Sequence, residues 1–415
     1  MPNKDTICVL PFIHLSVFQD GKLKPCCISD SFFDENYNDF KNFDELFNNP
    51  SYQKLRDDLK SGVKNKMCDV CWKKEEYGGR SFRQEKNAHF NKQYDELMRE
   101  EDKQDLVFLD IRFSNQCNFK CRMCSERDST SWYDEKREWN EKNGIPFDSK
   151  KLHILNNDFS KEDLEHLEYV YIAGGEPLYT KKAWDFIETI PHPENVDLQF
   201  QTNLSILNYK NKNIFELTRG FKKVIYSISM DGLFEVGEFS RTNFKTDVFL
   251  ANLNKLNEVK KEYNNIVYDF TYTSSILNVF SFFETFDYLI ENSYIDDYSN
   301  IRFQFVRYPD ILDTKNFNVL DKAREYYERR HTLKGIENSP FLLGDIENLL
   351  IYLEKENNTD TEEYLEKLKN YIIFSQMYNT IPIPTNLKQI LPANLKTMYN
   401  DIPILTKLKK YVSII

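Results

Sequence analysis

Cys117, Cys121 and Cys124 stand four and then three residues apart in the stretch QCNFKCRMCS. Thiolates at such short intervals can wrap one iron–sulfur cubane. A cubane has four irons, so three cysteines leave one iron without a protein ligand. An open coordination position is what separates a catalytic metal site from a closed structural one. Zinc with one borrowed ligand is the alternative for this loop taken alone. Five more cysteines precede the loop: Cys8, the doublet Cys26-Cys27, and the pair Cys68-x-x-Cys71. No cysteine follows Cys124. Crowding at one end of a long chain speaks for metal ligation and against a disulfide framework. Four separated thiolates could close around a second metal centre. C-x-x-C with two distant cysteines also fits a four-thiolate zinc site, so both metals stay open there.

The elements that must position these residues follow from periodicity. Short apolar runs rich in Val, Ile, Phe and Tyr predict strands at 106–113, 169–173, 196–202, 223–230, 266–273 and 301–307. Helical spacing fills the gaps, as in WDFIETI and FLANLNKLNEVKKEY. Repeated strand–helix units predict a parallel sheet with right-handed crossovers. Six of them predict an α/β fold, an open partial (β/α)6 barrel, with chemistry at the C-terminal ends of its strands. The expected organisation is a cysteine-rich region with a charged helical connector at 1–104, the barrel at 105–310, and a mainly helical extension at 311–415. Three prolines break helicity in NTIPIPTNLKQILP.

The cysteine loop follows the first barrel strand, and its C-x3-C-x2-C pattern resembles the signature of the radical SAM superfamily. The second strand runs into AGGEPL, and Gly174, Gly175, Glu176 and Pro177 resemble that superfamily's motif along the amino group of S-adenosylmethionine (SAM). Paired glycines permit close backbone approach, and a carboxylate accepts hydrogen bonds from an ammonium. Ser229 and Asp231, in SISMDG, resemble the strand-four contacts to ribose and carboxylate. Asn203, in QTNLS, and Arg241, in GEFSRTNF, occupy further cofactor-facing places. The sequence departs from the pattern at Met123, where the family usually has an aromatic residue beside the adenine.

Upstream, G-x-L-x-P-C and C-x-x-C-W resemble the auxiliary-cluster motifs of SPASM and twitch domains, here placed before the barrel. A set of twitch-like radical SAM proteins is similar to this chain over nearly its whole length. By the P-C spacing Cys26 is the expected ligand, with Cys8, Cys68 and Cys71. The resemblance implies a SAM-binding 4Fe–4S cluster, SAM, and an auxiliary 4Fe–4S cluster that accepts an electron or binds substrate. It implies reductive cleavage of SAM to a 5′-deoxyadenosyl radical and hydrogen abstraction from a small-molecule, sugar-like or peptide substrate. The electron donor would be of the flavodoxin or ferredoxin kind.

Composition limits the alternatives. The formal charge of −11 and the lack of a basic module argue against an RNA-modifying enzyme, because phosphate contacts need clustered Lys and Arg. No winged-helix stretch is evident, which favours a small or carbohydrate substrate over a peptide. No apolar run is long enough to span a membrane, and the N-terminus lacks a signal-peptide layout, so a cytoplasmic protein is expected. A non-catalytic zinc-binding protein is the alternative from another class. The six histidines form no metal motif and are expected to pack or face solvent.

Overall fold

A computed structural model describes residues 2–378 and 384, apart from 77–78, 102–104, 148–149, 156–158, 307, 340–341 and 357–360. Its centre is one eight-stranded sheet. The strands are β1 (His14–Val17), β2 (Leu23–Lys24), β3 (Phe108–Arg112), β4 (Tyr169–Ala173), β5 (Asp197–Thr202), β6 (Lys223–Met230), β7 (Ile266–Ser274) and β8 (Ile301–Phe305). Their spatial order is β8-β7-β6-β5-β4-β3-β1-β2. From β3 to β8 every neighbouring pair is parallel. All six strands expected from the sequence are present, with ends that differ by at most two residues.

Sequential order has a physical consequence. Right-handed crossovers that always step in the same direction put every helix on one face of the sheet. Alternation along the strands fits this. In β6, Val224, Tyr226, Ile228 and Met230 are fully buried. Leu198 and Phe200 in β5, and Val170 and Ile172 in β4, do the same. Helices α4 (Lys181–Thr189), α5 (Ile214–Thr218), α6 (Thr246–Glu262) and α7 (Phe282–Glu291) fill the connections. Trp184, Phe215, Leu253 and Phe286 are among their buried residues.

The cysteine-rich region is joined to this sheet. β1 pairs in parallel with β3, His14 opposite Phe108, and β2 returns antiparallel to β1. The sheet therefore has eight strands where six were expected, the two additional ones coming from the cysteine-rich region. Helices α1 (Pro50–Ser61), α2 (Asp69–Glu76) and α3 (Phe82–His89) complete the region. Beyond the barrel, α8 (Leu342–Lys355) packs on β8, and α9 (Thr361–Tyr378) follows. The proline-rich stretch at 379–392 lies outside the described residues, Pro384 excepted. Among the described residues no helix is long and apolar enough to cross a membrane.

Candidate active site

The loop carrying Cys117, Cys121 and Cys124 leaves the C-terminal end of β3 and is held by its own backbone carbonyls. Ser131 Oγ donates to the Cys117 carbonyl at 2.9 Å, and Trp132 Nε1 to the Cys121 carbonyl at 2.9 Å. Ser129 Oγ reaches the Phe119 carbonyl at 2.8 Å. Between the second and third cysteines, Arg122 is fully buried and donates from Nε to the Phe239 carbonyl at 2.8 Å. The Arg122 N–H reaches the Ser240 carbonyl at 2.8 Å, and Tyr371 of α9 donates to the Arg122 carbonyl at 3.0 Å. Lys120 and Glu135 form a buried ion pair behind the loop. Burial raises all three thiols above the ordinary range, Cys121 to about 11, with Arg241 opposing the rise there. A metal that binds them must therefore displace protons.

The glycine pair after β4 lies directly against this loop. Both glycines have positive φ, +81° at Gly174 and +52° at Gly175. A β-carbon on Gly175 would come to 2.1 Å from the Gln116 carbonyl oxygen, and one on Gly174 to 2.6 Å from Arg112 Cβ. The next N–H, that of Glu176, donates to the same Gln116 carbonyl at 2.8 Å. Only glycine allows the two loops to meet this closely.

Glu176 is buried and accepts from the Leu178 N–H (3.2 Å), Thr202 Oγ1 (2.8 Å) and the Asn203 N–H (2.7 Å). A carboxylate has about four acceptor positions, so roughly one is left for a ligand. Burial pushes its carboxyl up to about 7, against the pull of the Asn203, Thr202 and Leu178 bonds. Pro177 opens a short helical turn that Glu176 caps. Asn203, also buried, donates from Nδ2 to Asn118 Oδ1 at 3.0 Å, tying the end of β5 to the cysteine loop.

Asp231 lies just past β6 and is fully buried against Arg241, whose Nε is 2.6 Å from its carboxylate. The Thr273 N–H donates to the other carboxylate oxygen at 3.2 Å. A two-residue antiparallel ladder sets Arg241 opposite Cys121. Burial works against the Arg241 charge, and Asp231 and Cys121 more than offset it. Ser229, inside β6, accepts from Gln201 Nε2 at 2.7 Å. Every cofactor-facing residue expected from sequence therefore lies at or near the C-terminal end of β4, β5 or β6, as Arg241 does through its ladder to the cysteine loop. Met123 is half-buried against the core.

Cys8, Cys26, Cys68 and Cys71 line one common cavity with Leu10 and Met67, and Cys27 is absent from that lining. Asn65 caps the turn leading to Cys68, and its carbonyl accepts from Trp72 Nε1 at 2.9 Å, fixing the C-x-x-C turn. Sequence reasoning missed the clamp on Cys8. Arg83 Nη1 and Asn87 Nδ2 donate to the Ile7 carbonyl at 2.8 and 3.0 Å, and Asn87 Oδ1 accepts the Val9 N–H at 2.9 Å. Glu75 holds Arg83 with contacts of 2.7 and 3.0 Å. Burial raises the four thiols, Cys68 to about 12. Among the described residues no group of three or more His, Cys, Asp or Glu side chains is arranged around a single-ion point. His14 is buried, with its ring 4.4 Å from that of Phe108.

Residues 8–72 match the family model of the SPASM domain, an iron–sulfur cluster-binding domain. That span holds all five cysteines of the first region. No curated protein matches the chain. Among solved structures it is similar to native anSMEcpe with bound AdoMet, at 14% identity and a TM-score of 0.36, over 55% of this chain and 60% of that one. Native anSMEcpe with AdoMet and the Kp18Cys peptide gives 14% and 0.34, over 55% and 61%. SuiB of Streptococcus suis bound to S-adenosylmethionine gives 14% and 0.33, over 78% and 69%. The chain spans about three-fifths of the first of these structures.

Proposed function

We propose that this chain is a radical SAM enzyme with an auxiliary cluster in its N-terminal region. The observation that carries the reading is the contact between the two loops. The glycine pair meets the three-cysteine loop at Gln116, and Asn203 and Arg241 reach the same loop from β5 and β6. Three thiols, a cradle without β-carbons and a charged pair thus converge on one end of one sheet. The donor set suits a 4Fe–4S cluster with an open iron.

When bound, cluster and SAM together supply a 5′-deoxyadenosyl radical that takes a hydrogen atom from the substrate. Cys117, Cys121 and Cys124 hold the cluster. Gly174 and Gly175 let the end of β4 pack directly against the cysteine loop, and Glu176 would offer its remaining acceptor position to an ammonium of the cofactor. Pro177 and Asn203 fix the loops on either side of Glu176. Asp231 orients Arg241 beside Cys121, and Ser229 presents a hydroxyl towards the ribose.

Cys8, Cys26, Cys68 and Cys71 hold the auxiliary cluster, which accepts an electron or binds substrate. The SPASM match supports iron over zinc there. The substrate is a small molecule, sugar-like compound or peptide, and a flavodoxin or ferredoxin supplies electrons.

Iron and acid-labile sulfide after anaerobic reconstitution test both sites. Wild type should hold about eight irons per chain, and the Cys117/Cys121/Cys124→Ala variant about four. No iron in either protein would end the radical reading. The doublet offers a sharper check, since Cys26 lines the thiol cavity and Cys27 does not. Cys26→Ser should lose about four irons, and Cys27→Ser should keep about eight. The reverse result would assign the ligand to Cys27.

A further inference from the structure

The four thiols of the first region share their cavity with a cation. Among the described residues, Arg83 is the one Lys, Arg, Asp or Glu that lines the same space as Cys8, Cys26, Cys68 and Cys71. Its ion-pair partner Glu75 does not line it. The Arg83 side chain is 6% exposed, and each of its nitrogens is bonded. Nε and Nη2 donate to Glu75 at 3.0 and 2.7 Å, and Nη1 donates to the Ile7 carbonyl at 2.8 Å. The Trp72 ring lies 5.1 Å from the guanidinium, and Ser81 Oγ donates to Glu75. The pair is thus fixed in place with its positive end nearer the thiols.

Clamping the backbone beside Cys8 does not require that charge. Asn87 Nδ2, a neutral amide, already donates to the same Ile7 carbonyl at 3.0 Å. Burying an arginine with its carboxylate is costly, and one backbone bond is a small return. The thiols register the cation: Arg83 opposes the burial-driven rise at Cys8, Cys68 and Cys71, while Glu75 reinforces it at Cys71. Asp69 acts on Cys68 and Lys24 faces Cys26, but neither lines the cavity.

Resting on the reading of an auxiliary iron–sulfur cluster at these four cysteines, we infer that Arg83, counterbalanced by Glu75, sets the reduction potential of that cluster and biases it towards its reduced state. Reduction adds one negative charge, and the potential of an iron–sulfur centre depends on the charge around it. A buried cation interacts with that added charge strongly, because the interior screens it less than water would. Such a bias suits a centre that accepts an electron better than one that binds substrate.

The test uses the full chain carrying Cys117/Cys121/Cys124→Ala, reconstituted anaerobically so that only the N-terminal site holds iron. Titration with dithionite and redox dyes, followed by electron paramagnetic resonance, gives the ratio of reduced to oxidised cluster at a fixed potential. Arg83→Gln keeps an amide for the Ile7 carbonyl and removes the charge. That ratio should fall about tenfold or more, equivalent to about 59 mV for a one-electron couple. Glu75→Gln leaves the cation unbalanced, and the ratio should rise about threefold or more. Opposite signs separate charge from packing, since a loosened cavity moves both variants the same way. The double variant Glu75→Gln/Arg83→Gln strands no charge and keeps the test valid if Arg83→Gln folds poorly. Its ratio should lie below the parent's, because the nearer charge is the one lost. An Arg83 variant at or above the parent's ratio, or a Glu75→Gln ratio that fails to rise, would overturn the inference. A parent chain that holds no iron would overturn the auxiliary-cluster reading itself.

Discussion

Gly175→Ala is expected to empty the three-cysteine site while leaving the auxiliary site loaded. The added methyl would sit 2.1 Å from the Gln116 carbonyl oxygen, inside any permitted contact. That oxygen belongs to backbone adjoining Cys117, and it also accepts the Glu176 N–H. Relief requires one loop to move, and either movement shifts Cys117 or breaks that bond. Holding a non-glycine residue at φ +52° adds strain of about 1–3 kcal/mol. Iron should fall from about eight to about four per chain, and 5′-deoxyadenosine formation should cease. Gly220→Ala is the control: its β-carbon meets nothing within 4 Å, and the change should stay within about 0.5 kcal/mol of wild type. Full iron in Gly175→Ala would show that the glycine pair does not position the cluster loop.

The parts legible in the sequence were those written locally. Six strands could be read because each carries five to nine residues of β-rich composition, and α4 and α6 because their apolar spacing extends over two turns or more. Cysteine spacing singled out the loop after β3, and the doublet Gly174-Gly175 stood out in a chain with twelve glycines. β1 escaped because four residues, His14 to Val17, are too few for a period of two to register. Its pairing with β3 joins segments more than ninety residues apart in sequence. The Arg83 and Asn87 clamp on Cys8 escaped for the same reason, since side chain and carbonyl lie 76 and 80 residues apart.

Arg241, expected from its motif to face the cofactor, also has a charged partner within the fold. Its Nε is held by Asp231 at 2.6 Å, and both groups are nearly or fully buried. Taking two charges out of water is costly, and the pair persists because each neutralises the other. Arg241→Met should therefore cost about 3–5 kcal/mol, because it leaves a buried carboxylate with only the Thr273 N–H as partner. The double variant Asp231→Asn/Arg241→Met should be more stable than Arg241→Met alone. Asparagine carries no charge and keeps an oxygen for Thr273, so the second substitution removes the penalty that the first creates. Denaturant unfolding of the three proteins supplies the comparison. A double variant less stable than Arg241→Met would mean that Asp231 has a partner besides Arg241 strong enough to hold its charge. The same series separates architecture from chemistry. If the double variant regains stability and iron yet makes no 5′-deoxyadenosine, the pair acts on the cofactor as well as on the fold. If activity returns with stability, the pair serves to anchor the β6 loop against Cys121.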